Sequence, residues 1–259
     1  MSLAGKNAVV FGGCGGMGLS IGQHLLKAGV QKLFILDVVN PTIQNMAFLK
    51  EFNEGAIVHS KLCDITNLTQ LQQVLQQDVV AALGTIDILV NTAGIAQSDK
   101  PENVININLL GVINTSLITL DLMSRAKGGN GGVIVNVASV AGFEPIPFLP
   151  IYCATKHGVV GFTRSLGVDP VYDETGVKFL VICPGSTQTK MYESCKKLTI
   201  DINALQQMLL KYKPATKPQS TDVVGACIVQ SIVEGENGST WICHNGKILQ
   251  HTFPKVQFN

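Results

Sequence analysis

Tyr152 and Lys156 stand four residues apart in the stretch YCATK, in a chain with only four tyrosines and 14% charged residues. On a helix this spacing puts a phenol and an ammonium on one face. A free phenol titrates at about pH 10 and is a poor base at neutral pH. A neighbouring cation favours the phenolate, which can then take a proton from a substrate hydroxyl. A second cluster, GGCGGMG, spans residues 12–18. It holds two overlapping patterns, G-x-G-x-x-G at Gly13, Gly15 and Gly18 and G-x-x-x-G-x-G at Gly12, Gly16 and Gly18. Either lets backbone approach a pyrophosphate, with the helix that opens around Met17 presenting unpaired N–H groups to it. Asp37 follows Gly18 by 19 residues and ends an apolar run. A carboxylate there accepts hydrogen bonds from an adenosine ribose. A 2′-phosphate would meet like charge at Asp37, and residues 38 and 39 are valines rather than bases, so the balance favours NAD over NADP. Asp64 and the adjoining Ile65 follow a third apolar run and are placed to reach the adenine ring. For Asp64, capping a helix that starts near Asn67 is an equal alternative.

These side chains need a scaffold, and the chain alternates apolar runs with helical patterns. The runs are NAVVF, KLFILD, AIVHSKLCD, TIDILVNTAG, GGVIVNVAS and VKFLVICPG, with GSTWICHNGK as a weaker seventh. Helical patterns cover 68–83 and 104–126. Runs buried on both faces and separated by helices indicate a parallel sheet covered on each side. The expectation is a single-domain, Rossmann-like, doubly wound α/β fold of about seven strands, residues 1–259. The polar, lysine-bearing stretch at about 190–218 interrupts the alternation and reads as an inserted helical lid over the substrate.

The bulk composition excludes several classes. A formal net charge of +1 gives no basic bias toward nucleic acid. No stretch approaches 18 clean apolar residues, so no membrane span is expected, and the N-terminal segment lacks the pattern of a signal peptide. The seven cysteines are scattered, with no CxxC pair and no zinc-like spacing, so no metal is expected. Reduced thiols in a cytoplasmic protein are the economical reading.

Taken in order, the glycine loop, NTAG at 91–94, Asn108 before LLG, Ser139 in NVASVAG, Tyr152, Lys156 and PGSTQT at 184–189 resemble the short-chain dehydrogenase/reductase family across essentially the whole chain. YCATKHGVVGFTRS looks like the NAD-dependent 15-hydroxyprostaglandin dehydrogenases. The glycine loop, KGGNGGVIVNVASVAGF and NGSTWI look like the insect, fruit-fly-type alcohol dehydrogenases. Phe11 and Thr92 depart from the residues many members carry, threonine and asparagine respectively. The resemblance implies a tetrad of Asn108, Ser139, Tyr152 and Lys156. In it Tyr152 is the base, Ser139 steadies the substrate oxygen, Lys156 also binds the nicotinamide ribose, and Asn108 holds a water that passes the proton onward. It further implies NAD contacts from Asn91, Ala93 and Gly94, and from Pro184, Gly185, Thr187 and Thr189 around the nicotinamide carboxamide. Hydride transfer between an aliphatic or lipid-like alcohol and NAD follows as the expected activity. An NADPH-dependent carbonyl reductase and a non-enzymatic binding or storage member are the alternatives. The segment after Ser139 (Ala141, Gly142, Glu144, Ile146) and that from Met191 are expected to line the substrate pocket, their apolar residues suiting an aliphatic or lipid-like alcohol. A homodimer or homotetramer is expected, paired through the Asn108 and Tyr152 helices.

Overall fold

The computed structural model describes residues 2–194, 202–211 and 217–254. Eight strands form one sheet: β1 (Asn7–Phe11), β2 (Lys32–Asp37), β3 (Ile57–Leu62), β4 (Ile88–Asn91), β5 (Gly132–Val137), β6 (Val177–Pro184), β7 (Thr240–His244) and β8 (Lys247–His251). Their order is β3-β2-β1-β4-β5-β6-β7-β8. All neighbours run parallel except β7 and β8. The sequence runs place the seven parallel strands correctly. They miss β8, because GSTWICHNGK is not one strand. Asn245 and Gly246 take positive φ (52° and 75°) and reverse the chain in a two-residue hairpin, for which Asn-Gly is the favoured pair. The returning edge strand is short and largely exposed, so it carries little apolar signal.

Successive residues of each central strand serve opposite faces. Ala8, Val10, Leu33, Ile35, Ile88 and Val90 pack with Ile21, Leu25, Val224 and Ile228. Val9, Phe11, Phe34, Leu36 and Leu89 pack with Leu71, Leu75, Val79 and Met123. The covering helices are α1 (Gly16–Lys27), α2 (Ile43–Lys50), α3 (68–83), α4 (Pro101–Met123), α5 (Pro150–Leu166), α6 (Asp169–Thr175), α7 (Lys190–Ser194), α8 (Asn203–Lys211) and α9 (Thr221–Glu234). Helices α7 and α8 occupy part of the expected lid; residues 195–201 and 212–216 of that stretch, with Cys195, lie outside the described residues.

The strand order reverses between β1 and β4. In register, Phe11 pairs Asn91 and Asn91 pairs Asn136, so the loops after β1, β4, β5 and β6 emerge along one edge. Ligands of open α/β sheets bind at such a switch point. The strand ends are locked by a buried polar chain. Asn91 Nδ2 donates to Asn136 Oδ1 (2.8 Å), Ser116 Oγ donates to the same oxygen (3.2 Å), and Asn136 Nδ2 donates to Thr163 Oγ1 (3.0 Å). This ties β4 and β5 to α4 and α5.

Helix α4 is long and apolar enough to cross a membrane by length and composition. It instead lies against the sheet, with Val112, Thr115, Ser116, Thr119 and Met123 buried. It begins at Pro101 and ends at Met123, because Ser124 is extended (ψ 127°); both bounds are three residues earlier than the sequence pattern. Its outer face leaves Ile105, Leu110 and Leu117 45%, 48% and 43% exposed. The neighbouring α5 is not apolar all round as its sequence suggests. Val159 and Val160 both point inward, and its outer face carries Ala154, His157, Gly161 and Arg164.

Candidate active site

Strand β1 ends at Phe11 and the chain turns at Gly12 (φ 75°), where a Cβ would lie 2.6 Å from the Ala93 nitrogen. A Cβ on Gly18 would sit 2.1 Å from the Gly12 carbonyl oxygen, and one on Gly13 would meet Ile35 Cγ2 at 2.5 Å. These three glycines let the β1–α1 turn pack against α1, β2 and the β4 loop. Gly15 and Gly16 have ordinary room, with nearest approaches of 3.5 and 3.7 Å; they leave bare backbone where α1 begins. The amides of Gly16, Met17 and Gly18 lie in the first turn and have no intrahelical acceptor, so they form an anion cradle.

Asp37 closes one end of the cleft. Its Oδ2 accepts from the Cys14 amide (2.9 Å) and its Oδ1 from the Val39 amide (3.3 Å). Two backbone donors thus fix the carboxylate beside the largely exposed Val38 and Val39. Cys14 and Cys63 line the same cleft. Burial pushes both thiols up to about 11, helped by Asp37 for Cys14 and by Asp64 for Cys63, where Lys61 acts in the opposite direction. Both thiols are therefore neutral at physiological pH. Asp64 accepts from Thr66 N and Oγ1 (2.9 and 2.7 Å). The cap of α3 is Asn67, whose Oδ1 accepts from Gln70 N. Asp64 therefore is not the helix cap, and with Ile65 it lines the cleft.

The cleft measures about 1150 Å³. It runs from Asp37 and Asp64, past Gly15–Gly18, to Thr92, Ala93, Gly94, Ile95 and Thr189. These residues fit an extended dinucleotide: a carboxylate at one end, free helix amides in the middle, and the β4 and β6 loops at the other end. Asn91 is not on this wall. It is 2% exposed and engaged in the buried chain described above, so it sets the position of Thr92–Gly94 from behind. Thr187 is likewise buried, its Oγ1 donating to the Gly185 carbonyl (2.9 Å), which leaves only its backbone for a ligand. Gly185 is glycine because a Cβ there would fall 1.8 Å from His244 Nδ1.

Helix α5 starts at Pro150, whose fixed φ suits the first turn, and carries Tyr152 and Lys156 on its inner side. Lys156 is 4% exposed, and its Nζ donates to the Val137 carbonyl (2.9 Å) and lies 5.6 Å from the Tyr152 ring centroid. Ser139 follows β5; its Oγ accepts from Ala141 N (3.1 Å) and donates weakly to the Pro184 carbonyl (3.5 Å). Asn108 is fully buried inside a π-helical turn of α4, Asn106–Gly111. Its Nδ2 donates to the Ile95 carbonyl (2.7 Å) and, at 3.4 Å, to Thr155 Oγ1, while its Oδ1 accepts from Ile95 N (2.8 Å). A single wide turn of this kind inside a helix is frequent at functional sites. Gly94 sits over this group, since a Cβ would lie 3.2 Å from Asn108 Oδ1 and 3.8 Å from Lys156 Nζ. Three of the four tetrad members, with Gly94, are thereby tied around the ends of β4 and β5, and Ser139 reaches the β6 loop.

Residues 6–198 match the family model of the short chain dehydrogenases. The chain belongs to that family. It is 40% identical to alcohol dehydrogenase 1 of Ceratitis capitata over 251 residues, 96% of each chain. It is 37% identical to human 15-hydroxyprostaglandin dehydrogenase [NAD(+)] over 197 residues, 76% of this chain and 74% of that one. Among solved structures it resembles levodione reductase, with a TM-score of 0.76, 25% identity, and coverage of 93% of this chain and 96% of the other. It is thus a short-chain oxidoreductase with the nicotinamide-dinucleotide-binding Rossmann fold of that family.

One contact of this short-chain dehydrogenase site, at Thr155, is announced by no motif in the sequence. Thr155 Oγ1 donates to the Tyr152 carbonyl (2.8 Å) and takes up the Asn108 amide. Gly142 lets the Ser139 loop touch α5, a Cβ there falling 2.9 Å from the Lys156 carbonyl oxygen. Of the expected pocket residues, Ala141 is buried, Glu144 is exposed, and Ile146 packs with Tyr152, Phe148, Leu149 and Cys153. Cys183, beneath Lys156, is pushed up to about 12 by burial and is a packing residue.

Burial lowers Lys156 to about 8, opposed by the neighbouring Cys183. In the unfolded chain the ammonium titrates at about 10.4. Below pH 8 both states hold the proton and the native state carries the full desolvation cost. Between about pH 8 and 10.4 only the unfolded state remains protonated, so stability rises with pH across that window. Urea unfolding of the wild type and of Lys156→Met should therefore diverge in favour of the wild type from pH 8 to 10, by on the order of 3 kcal/mol. A constant difference across that range would mean that Lys156 is not desolvated.

Proposed function

We propose that the protein oxidises an apolar alcohol to a carbonyl with NAD. The observation that carries this reading is the Tyr152–Lys156 pair, with the buried ammonium against the phenol ring and the Val137 carbonyl. Ser139 accepts the substrate oxygen's hydrogen bond or donates to it, and so holds the hydroxyl at the phenol. Tyr152 takes the hydroxyl proton, its phenolate favoured by the Lys156 charge. Asn108 holds the Ile95 loop and α4 together, beside the route by which that proton reaches solvent. The dinucleotide, when bound, supplies the two-electron acceptor. Gly12–Gly18 and the α1 amides would hold its pyrophosphate, Asp37 its adenosine ribose, Asp64 and Ile65 its adenine, and Ala93, Gly94, Lys156, Pro184–Gly185, the Thr187 backbone and Thr189 its nicotinamide half.

NAD is favoured over NADP because Asp37 is fixed by two amides and flanked by Val38 and Val39, with no cation adjacent in sequence. The apolar wall of Ile146, Phe148, Leu149 and Cys153 around Tyr152 favours an aliphatic or lipid-like alcohol. The named activities of the two relatives, alcohol and 15-hydroxyprostaglandin dehydrogenation, support the same class. Absorbance at 340 nm (the usual reduced-nicotinamide band) with a panel of secondary and primary alcohols, NAD and NADP tests the reading. NAD-dependent turnover rising with alkyl length is expected. Turnover with NADPH and carbonyls alone, or none with either cofactor, would overturn it.

We also assign a homodimer or homotetramer located in the cytoplasm. The assembly rests on the three exposed apolar side chains of α4, Ile105, Leu110 and Leu117, beside an α5 whose Gly161 has open space over it. An apolar stripe beside the open space at Gly161 accepts the same pair from a second copy in an isologous contact. Sedimentation at micromolar concentration should give at least twice the chain mass, and Leu110→Glu with Leu117→Glu should halve it. A stable, active wild-type monomer would end this assignment. The location rests on the described cysteines, all free and five of six buried; reduced thiols of this kind suit a reducing compartment.

A further inference from the structure

The β6 loop, whose Gln188 and Thr189 line the cleft, is held from behind by a residue outside every motif. Gln219 is the first residue after the 190–218 insertion. It is 7% exposed. Its backbone pairs with the loop on both sides: Gln219 N donates to the Ser186 carbonyl and Gln188 N donates to the Gln219 carbonyl, each at 2.9 Å. Its side-chain Nε2 donates to the Cys243 carbonyl (2.8 Å) and to Thr187 Oγ1 (3.3 Å), and its Oε1 accepts from Gly246 N (3.2 Å). The Cys243 carbonyl also accepts from Gly185 N (2.8 Å). One buried amide therefore joins the β6 loop, the end of β7 and the β7–β8 turn, and fixes Thr187 from behind while Gln188 and Thr189 face the cleft.

We propose that Gln219 is a positioning residue for the nicotinamide half of the dinucleotide, acting through Thr187 and the 185–189 backbone. This rests on the proposed reading that this loop faces the nicotinamide. The physical reason is geometric. Beyond β6 the 185–189 segment keeps only a few backbone bonds, from Gly185 N to Cys243 and across the Thr187–Gln219 bridge. Its amides hold a bound ligand's shape only if something opposes their movement, and the three side-chain hydrogen bonds of Gln219 do so without touching the ligand. A buried amide with its partners removed leaves Gly246 N without its acceptor and the Cys243 carbonyl with one donor fewer, which costs more than the bonds' net worth. The loop then relaxes toward water.

The test compares two ligands on the whole protein. NADH carries the nicotinamide and ADP-ribose lacks it. Gln219→Leu is expected to weaken NADH binding about tenfold, to leave ADP-ribose within about twofold, and to lower kcat as well as raise KM for NAD. Gln219→Glu keeps an acceptor for Gly246 N and loses the donor to Cys243. It should weaken NADH selectively at pH 8 and recover in part at pH 5.5, as a protonated carboxyl regains one donor. Where Gln219→Leu does not fold, Thr187→Val removes the same side-chain contact from the loop side and is read with the same two ligands. Equal loss of NADH and ADP-ribose, or no loss of either, would overturn the proposal. A wild type that binds NADH no better than ADP-ribose would instead overturn the reading that this loop faces the nicotinamide.

Discussion

Tyr152→Phe is expected to lower kcat for alcohol oxidation by about 10³-fold or more while changing NADH affinity by no more than about threefold. A positioned acid or base contributes about 10²–10⁴-fold, and the substitution removes the phenol oxygen, the atom proposed to take the proton. The residue itself packs against the buried cluster of Ala141, Phe148, Leu149 and Cys153, and phenylalanine keeps that apolar packing. Lys156 keeps its hydrogen bond to the Val137 carbonyl, so the wall it shares with Gly94 stays in place. The variant should therefore bind cofactor and hold its fold, and only the chemical step should fail. Stopped-flow single turnovers separate the two, because a lost burst with intact NADH fluorescence titration isolates proton transfer. Turnover within a few-fold of wild type would mean that another group takes the proton. Loss of NADH binding would mean that the phenol oxygen, not the ring, organises the cofactor site.

Much of this site is legible in the residues because each legible part has its own local physics. The turn at Gly12 needs positive φ and Gly18 needs the absence of a Cβ, so the glycines appear in the sequence as glycines. The parallel strands are buried on both faces and read as apolar runs. The i,i+4 spacing of Tyr152 and Lys156 survives directly into one helix face. What is hidden depends on partners far away in the chain. Asn91 reads as a cofactor residue because it opens NTAG, yet its side chain is buried and its Nδ2 donates to Asn136, 45 residues away. Gln219 meets Thr187 and Cys243 across 32 and 24 residues, and nothing in KPQSTD signals either. The π-helical turn around Asn108 changes which side of α4 faces the site, and helical periodicity alone does not report a one-residue insertion. The outer face of α5 is misread for the opposite reason. GVVGF looks apolar all round, but both valines turn inward and only Gly161 faces out. The β8 hairpin was announced by Asn245–Gly246, a turn signal lying inside what reads as a continuous strand.

Asp37→Ala combined with Val38→Arg is expected to reverse cofactor choice, moving the ratio of kcat/KM for NAD over NADP by about 10²–10³-fold. Hydrogen bonds from ribose hydroxyls to a carboxylate are of the charged kind, worth about 1.5–3 kcal/mol each. An Arg–phosphate pair adds bidentate, charge-assisted contacts for NADP. The side chain of residue 38 is 66% exposed, so an arginine there is accommodated without repacking. The complication is that Asp37 also holds the glycine loop, through the amides of Cys14 and Val39. Removing the carboxylate leaves both donors unpaired and loosens the glycine loop proposed to hold the pyrophosphate. That loss falls on NAD and NADP alike, since both carry the same pyrophosphate, and it cancels in the ratio. Absolute rates with either cofactor should fall; the ratio should still invert. Asp37→Asn separates the two contributions. It keeps an oxygen for one loop amide and for a ribose hydroxyl, drops the charge that repels a 2′-phosphate, and should bring the ratio toward unity without inverting it. Steady-state rates with both cofactors at one fixed alcohol concentration decide the matter. An unchanged ratio in the double variant would show that Asp37 serves the loop alone and that discrimination between the cofactors lies elsewhere in the cleft.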